Sequence, residues 1–127
     1  MPAEKKTILI VDDEPDVLTY LSTLFEDNGY LTARARDGNE ALARVKEKAP
    51  DVVTLDITMP NKSGVKFYRE MKESAEWKKI PIVIVTGVAG EFKNFISTRR
   101  QVPPPEGYLQ KPIDAKEILA LAKKLAK

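Results

Sequence analysis

The 127-residue sequence predicts an α/β fold built on a doubly wound parallel sheet, and two observations carry that prediction. Thr7–Val11 (TILIV), Val52–Leu55 (VVTL) and Ile80–Thr86 (IPIVIVT) are short, unbroken apolar runs rich in β-branched residues, as strands covered on both faces require. Amphipathic segments of helical period separate them. Strands that alternate with helices in this way are joined by right-handed crossovers into one parallel sheet.

Each element follows from its own residues. Thr7–Val11 is the first strand, and Val17, Leu18, Leu21, Leu24 and Phe25 then recur on one helical face until Asn28-Gly29 offers a left-handed stop. Tyr30–Ala35 (YLTARA) alternates more and reads as a less buried strand. Ala41, Leu42 and Val45 mark a second helix between Asp37-Gly38 and Pro50, and Val65, Tyr68 and Met71 a third after Gly64. Ile80–Thr86 is the fourth strand and Tyr108–Gln110 a short fifth. Ile118, Leu121, Ala122 and Leu125 form the last helix, with Asp114 and Glu117 spaced as a capping box. In Gly87–Gly107, Phe92, Phe95, Ile96 and Arg99 have helical spacing up to the prolines at 103–105, so a short helix is placed there.

Composition removes several chemistries. The sequence has no cysteine and no histidine, which excludes disulfides, Cys/His zinc sites, Ser-His-Asp triads, thiol nucleophiles and histidine phosphotransfer from within the chain. A net charge of +2 is too balanced for nucleic-acid or membrane-surface binding by bulk electrostatics, although residues 88–127 carry a positive excess. No apolar run approaches the roughly 20 residues that span a bilayer, and Met1–Lys6 is too charged for a signal peptide. A single domain over residues 1–127, in the cytoplasm, is expected.

In an open parallel sheet ligands bind outside the carboxyl ends of the strands. The first strand ends at Asp12-Asp13, the third at Asp56, the fourth at Thr86, and the fifth is followed by Lys111. Singly, these are common turn, cap or strand residues. Together they bring three carboxylates, a hydroxyl and an amine to one edge of the sheet. Carboxylates so crowded need a cation among them, and an oxygen-only set suits Mg²⁺, which keeps part of its hydration shell and leaves room for a phosphoryl group. Thr86 and Lys111 would bind further phosphoryl oxygens, leaving one carboxylate as nucleophile for an aspartyl phosphate.

The segments ILIVDDEPDV (Ile8–Val17), VVTLDITMPNKSG (Val52–Gly64), IPIVIVTG (Ile80–Gly87) and GYLQKPID (Gly107–Asp114) carry a further resemblance. In this order and spacing, the chain resembles the receiver domain of bacterial two-component response regulators, the stand-alone chemotaxis regulator among them, along essentially its full length. The resemblance implies a flavodoxin-like sheet of five strands in order 2-1-3-4-5 with five helices. It makes Asp56 the phosphoacceptor, Asp13 a direct Mg²⁺ ligand, Asp12 a ligand through water, and Thr58 the donor of a backbone carbonyl to the metal. Thr86 is similar to the switch hydroxyl, Gly87 to the small residue beside it, Lys111 to the lysine that binds phosphoryl oxygens, and Pro112 to a proline after a cis peptide. Tyr108 resembles the aromatic switch that turns inward once Thr86 moves.

The implied partners are a sensor histidine kinase or a histidine phosphotransfer domain as donor. The output would be a downstream protein, a fused output domain or a phosphorylation-dependent homodimer, with no direct nucleic-acid or membrane contact. Such a module catalyses its own phosphorylation and dephosphorylation but is consumed and reset, so it is not an enzyme in the turnover sense. Two other readings stand beside this one. A Mg²⁺-dependent aspartyl-phosphate hydrolase of the haloacid dehalogenase kind would carry a D-x-D pattern, which Asp56-Ile57-Thr58 lacks; a phosphorylation-independent binding module would be expected to have lost part of the set. The longer Gly87–Gly107 segment, with Val102 and the prolines after it, departs from the family pattern, and Phe92, Phe95, Arg99 and Arg100 suggest a partner-specific face there.

Overall fold

The computed structural model describes residues 5–57, 63–87 and 105–126. Its elements run β1 (Thr7–Val11), α1 (Pro15–Asp27), β2 (Leu31–Ala35), α2 (Gly38–Glu47), β3 (Val52–Asp56), α3 (Ser63–Glu73), β4 (Ile82–Thr86), β5 (Gly107–Gln110) and α4 (Ala115–Leu125). The five strands are all parallel, in the expected order β2-β1-β3-β4-β5. Four helices lie among the described residues, one fewer than expected; the additional helix predicted within Gly87–Gly107, with Phe92, Phe95, Ile96, Arg99 and Arg100, falls outside them.

Alternation along the strands divides the core into two layers. Ile8, Ile10, Val52, Val83 and Leu109 face Leu18, Leu21 and Phe25 of α1 and Ile118 and Ala122 of α4. Leu9, Val11, Val53, Leu55, Ile82 and Ile84 face Ala41 and Val45 of α2 and Phe67, Tyr68 and Met71 of α3. Every residue of β1 and β3 is buried because both strands are interior and helices cover both sides. The edge strand β2 is buried only at Ala35, which is why its sequence alternates.

Local chemistry fixes the ends. Pro15 opens α1, and Gly29, at φ 91°, follows its C-cap Asn28. The Asp37 side chain accepts from the Glu40 N–H to start α2, and Asp114 accepts from Glu117 N–H to start α4, as the spacing predicts. Strand β4 begins at Ile82, two residues later than the apolar run, because Trp77 O accepts from Ile80 N–H in a preceding turn and Pro81 has no N–H to give a ladder. Gly107 opens β5 in a tight place: a Cβ there would lie 3.3 Å from Val83 Cγ2 and 3.4 Å from Leu121 Cδ1. Gly107→Ala should therefore lower stability by about 1 kcal/mol, crowding outweighing the entropic gain of alanine, as read by urea denaturation.

Candidate functional site

The carboxyl ends of β1, β3 and β5 converge on one cluster. Asp12 follows Ile10 by two residues, Asp56 follows Thr54, and Lys111 follows Leu109, so each continues the series of its strand toward the α1/α4 layer. Asp12 and Asp56 are both only 2% exposed, whereas Asp13 and Glu14 stand at the surface. One carboxylate oxygen from each of Asp12, Asp13, Glu14 and Asp56 lies within 4.8 Å of all the others. Into this group reaches Lys111, whose Nζ is 3.1 Å from Asp12 Oδ2, 3.1 Å from Glu14 Oε1 and 3.5 Å from Asp56 Oδ2.

The backbone holds the cluster in place. Asp12 N–H donates to Ala35 O, which ties the end of β1 to β2, and Asp12 Oδ1 accepts from Glu14 N–H at 2.9 Å. Burial pushes the Asp12 carboxyl up to about 6; the Asp56 carboxylate adds to the rise, and the Glu14 N–H and the Lys111 ammonium oppose it. For Lys111, burial works against the ammonium, but the carboxylates of Asp56, Asp12 and Glu14 together outweigh it and raise its pKa above the ordinary lysine value. A single ammonium thus serves three carboxylates. Four oxygen donors, two buried and two at the surface, suit a hard divalent cation that keeps some of its water, so the residues present fit Mg²⁺.

Of the residues expected here, Asp12, Asp13, Asp56 and Lys111 come together as predicted. Thr86 ends β4 in register with Gln110, one residue beyond the Asp56–Val85 pair; its side chain, and all of Thr58, lie outside the described residues. Gly87 leaves room beside Lys111, since a Cβ there would meet Lys111 Cδ at 3.8 Å. The Lys111-Pro112 peptide is cis. Tyr108 is half-buried and packs against the α2/α3 layer. Sequence reasoning missed Glu14, which sits beside the Asp12-Asp13 pair and joins both the carboxylate group and the Lys111 ion pairs; its place directly after that pair was the available signal.

Known proteins share this arrangement of elements. The profile of the response regulator receiver domain matches residues 8–123. The chain is 34% identical over 112 residues to the protein PilH of Pseudomonas aeruginosa, covering 88% of this chain and 90% of PilH. Among solved structures, the chemotaxis response regulator CheY4 of Vibrio cholerae superposes with a TM-score of 0.82 at 27% identity, over 96% of this chain and 99% of CheY4. The signal receiver domain of a signal transduction histidine kinase from Syntrophus aciditrophicus does so with 0.83 at 26%, over 95% and 89%. A five-stranded parallel sheet in order 2-1-3-4-5, with this profile across nearly the whole chain, places the protein in the receiver-domain family of response regulators, the phosphoacceptor modules of two-component signalling.

Proposed function

We propose that Asp56 is the residue that accepts the phosphoryl group, from a phosphohistidine on a separate kinase or phosphotransfer protein. One observation carries this reading: Asp56 is a buried carboxylate at the end of the central strand β3, inside the cluster of Asp12, Asp13 and Glu14 and within reach of Lys111. An Asp56 carboxylate oxygen attacks phosphorus while the P–N bond to the donor imidazole breaks. The bonding pair leaves with the ring nitrogen, which solvent protonates, and an acyl phosphate remains. Lys111 then pairs with phosphoryl oxygens and holds the charge that gathers on them. Attack by water on phosphorus later releases phosphate and restores the carboxylate, so the domain is reset by its own site without turning over a substrate.

Asp12, Asp13 and Asp56, with the carbonyl of Thr58, would hold Mg²⁺. When bound, the ion neutralises the carboxylates and polarises the phosphoryl group. The Thr86 hydroxyl moves onto the new phosphoryl oxygens, and Tyr108 turns further into the space beside it, which reshapes the surface around β5 and α4 that a downstream protein, a fused output domain or a second copy reads. No helix among the described residues is long and apolar enough to cross a membrane, and the expected setting is the cytoplasm, where the kinase domain presents its phosphohistidine.

Incubation with Mg²⁺ and acetyl phosphate should add about 80 Da to the intact chain, one phosphoryl group, and a chelator should prevent it. Absence of the adduct with acetyl phosphate and with a phosphohistidine donor alike, in folded protein that binds Mg²⁺, would overturn the proposal.

A further inference from the structure

Lys111 shares its ammonium unevenly. It makes hydrogen bonds of 3.1 Å to Asp12 and to Glu14, while its contact with Asp56 is the longer one at 3.5 Å. Asp12 is buried and bonded through its other oxygen to the Glu14 N–H, so it is fixed where it stands. Glu14 differs. Its side chain is 62% exposed and can swing into water, and it is not needed to start α1: as N-cap it makes no side-chain capping bond, and its carbonyl accepts from Val17 and Leu18.

We infer that Glu14 is a positioning residue that draws the Lys111 ammonium away from Asp56 before phosphorylation, so that transfer of Lys111 from Glu14 to the phosphoryl oxygens limits how tightly the site takes a phosphoryl group. The inference rests on the reading of Asp56 as the acceptor. A carboxylate this exposed forms a weak ion pair, and the competition it offers corresponds to about a two- to five-fold effect.

Beryllofluoride, a phosphoryl stand-in, tests this when titrated at saturating Mg²⁺ into wild type, Glu14→Gln, Lys111→Ala and the double variant. Glu14→Gln should tighten binding about two- to five-fold in the wild-type background and leave it unchanged in the Lys111→Ala background. Glu14→Asp, which keeps the charge but draws it back from Lys111 by one methylene, should tighten binding as Gln does, and it serves as the control if Lys111→Ala does not fold. Equal tightening with and without Lys111, or a Glu14→Asp variant that binds like wild type, would reduce the effect to charge acting through space and overturn the inference. No tightening by Glu14→Gln would overturn it as well. Wild type that binds Mg²⁺ but no beryllofluoride would overturn the reading of Asp56, and this inference with it.

Discussion

Glu106→Ala should cost the fold about 2–4 kcal/mol, because it leaves a buried ammonium without its partner. Lys72, in the last turn of α3, is buried, with its side chain only 1% exposed, and both oxygens of Glu106 accept from its Nζ at 2.8 Å. Glu106 Oε1 also accepts from Ile82 N–H at 2.8 Å, and Glu106 N–H donates to Ile82 O. One carboxylate therefore ties the end of α3 to the starts of β4 and β5. Its removal strands an ammonium in the interior, 5.9 Å from the centre of the Tyr68 ring, and leaves Ile82 N–H without its acceptor. The reverse change is milder. Lys72→Met leaves Glu106 one-third exposed and still holding Ile82 N–H, so a loss of about 1–2 kcal/mol is expected. The double variant Lys72→Met/Glu106→Gln should regain most of the difference, because no unpaired charge remains buried. Urea denaturation of the three variants measures all of this, and equal losses for the two single variants would refute the assigned asymmetry.

Asp12→Asn should do the opposite and stabilise the metal-free protein at pH 7, by about 1–3 kcal/mol. The sign follows from the direction of the shift. The folded state raises the Asp12 pKa from 3.8 to about 6, so it binds this proton more tightly than the unfolded chain does. Asp12 thus contributes no penalty below about pH 4. Stability is lost as pH rises through the window from 4 to 6, and the whole loss is present at pH 7. Asparagine cannot ionise and keeps an oxygen for the Glu14 N–H; it gives up the bond that Asp12 Oδ2 accepts from Lys111, which holds the gain below the full cost of ionising Asp12, while Lys111 retains Asp56 and Glu14. Denaturation in a chelator should show the gain at pH 7 and its disappearance near pH 4. Added Mg²⁺ should stabilise wild type more than the variant, because the variant has lost a carboxylate that the ion would neutralise.

The fold was legible because buried parallel strands leave unbroken apolar runs and their helices leave a 3.6-residue period; β1, β3 and the last helix were read almost to the residue. The start of β4 lies two residues later than the apolar run suggests, because Ile80 is as apolar as Ile82 and the turn with Trp77, together with the missing N–H of Pro81, is what separates them. The core of the site was legible for a different reason. Polar residues directly after apolar strands must lie at one edge of a parallel sheet, and this rule alone brings Asp12, Asp13, Asp56 and Lys111 together. Glu14 was not singled out, since an acidic residue before a helix-opening proline suits an ordinary cap. Nor was the Lys72–Glu106 pair. It joins residues 34 apart, and a lysine among the polar positions of α3 carries no sign that the start of β5 buries it.

A phosphoryl group should form its bond to Asp56 and to no other residue. Borohydride reduction of the chain after incubation with Mg²⁺ and acetyl phosphate, followed by peptide mapping, tests it most directly, because the hydride converts an acyl phosphate to homoserine at the residue that carried it. Homoserine is expected at position 56 alone, with none in samples treated with chelator. Homoserine at position 12 or 13, or a stable phosphate on Thr86 with Asp56 unchanged, would contradict it.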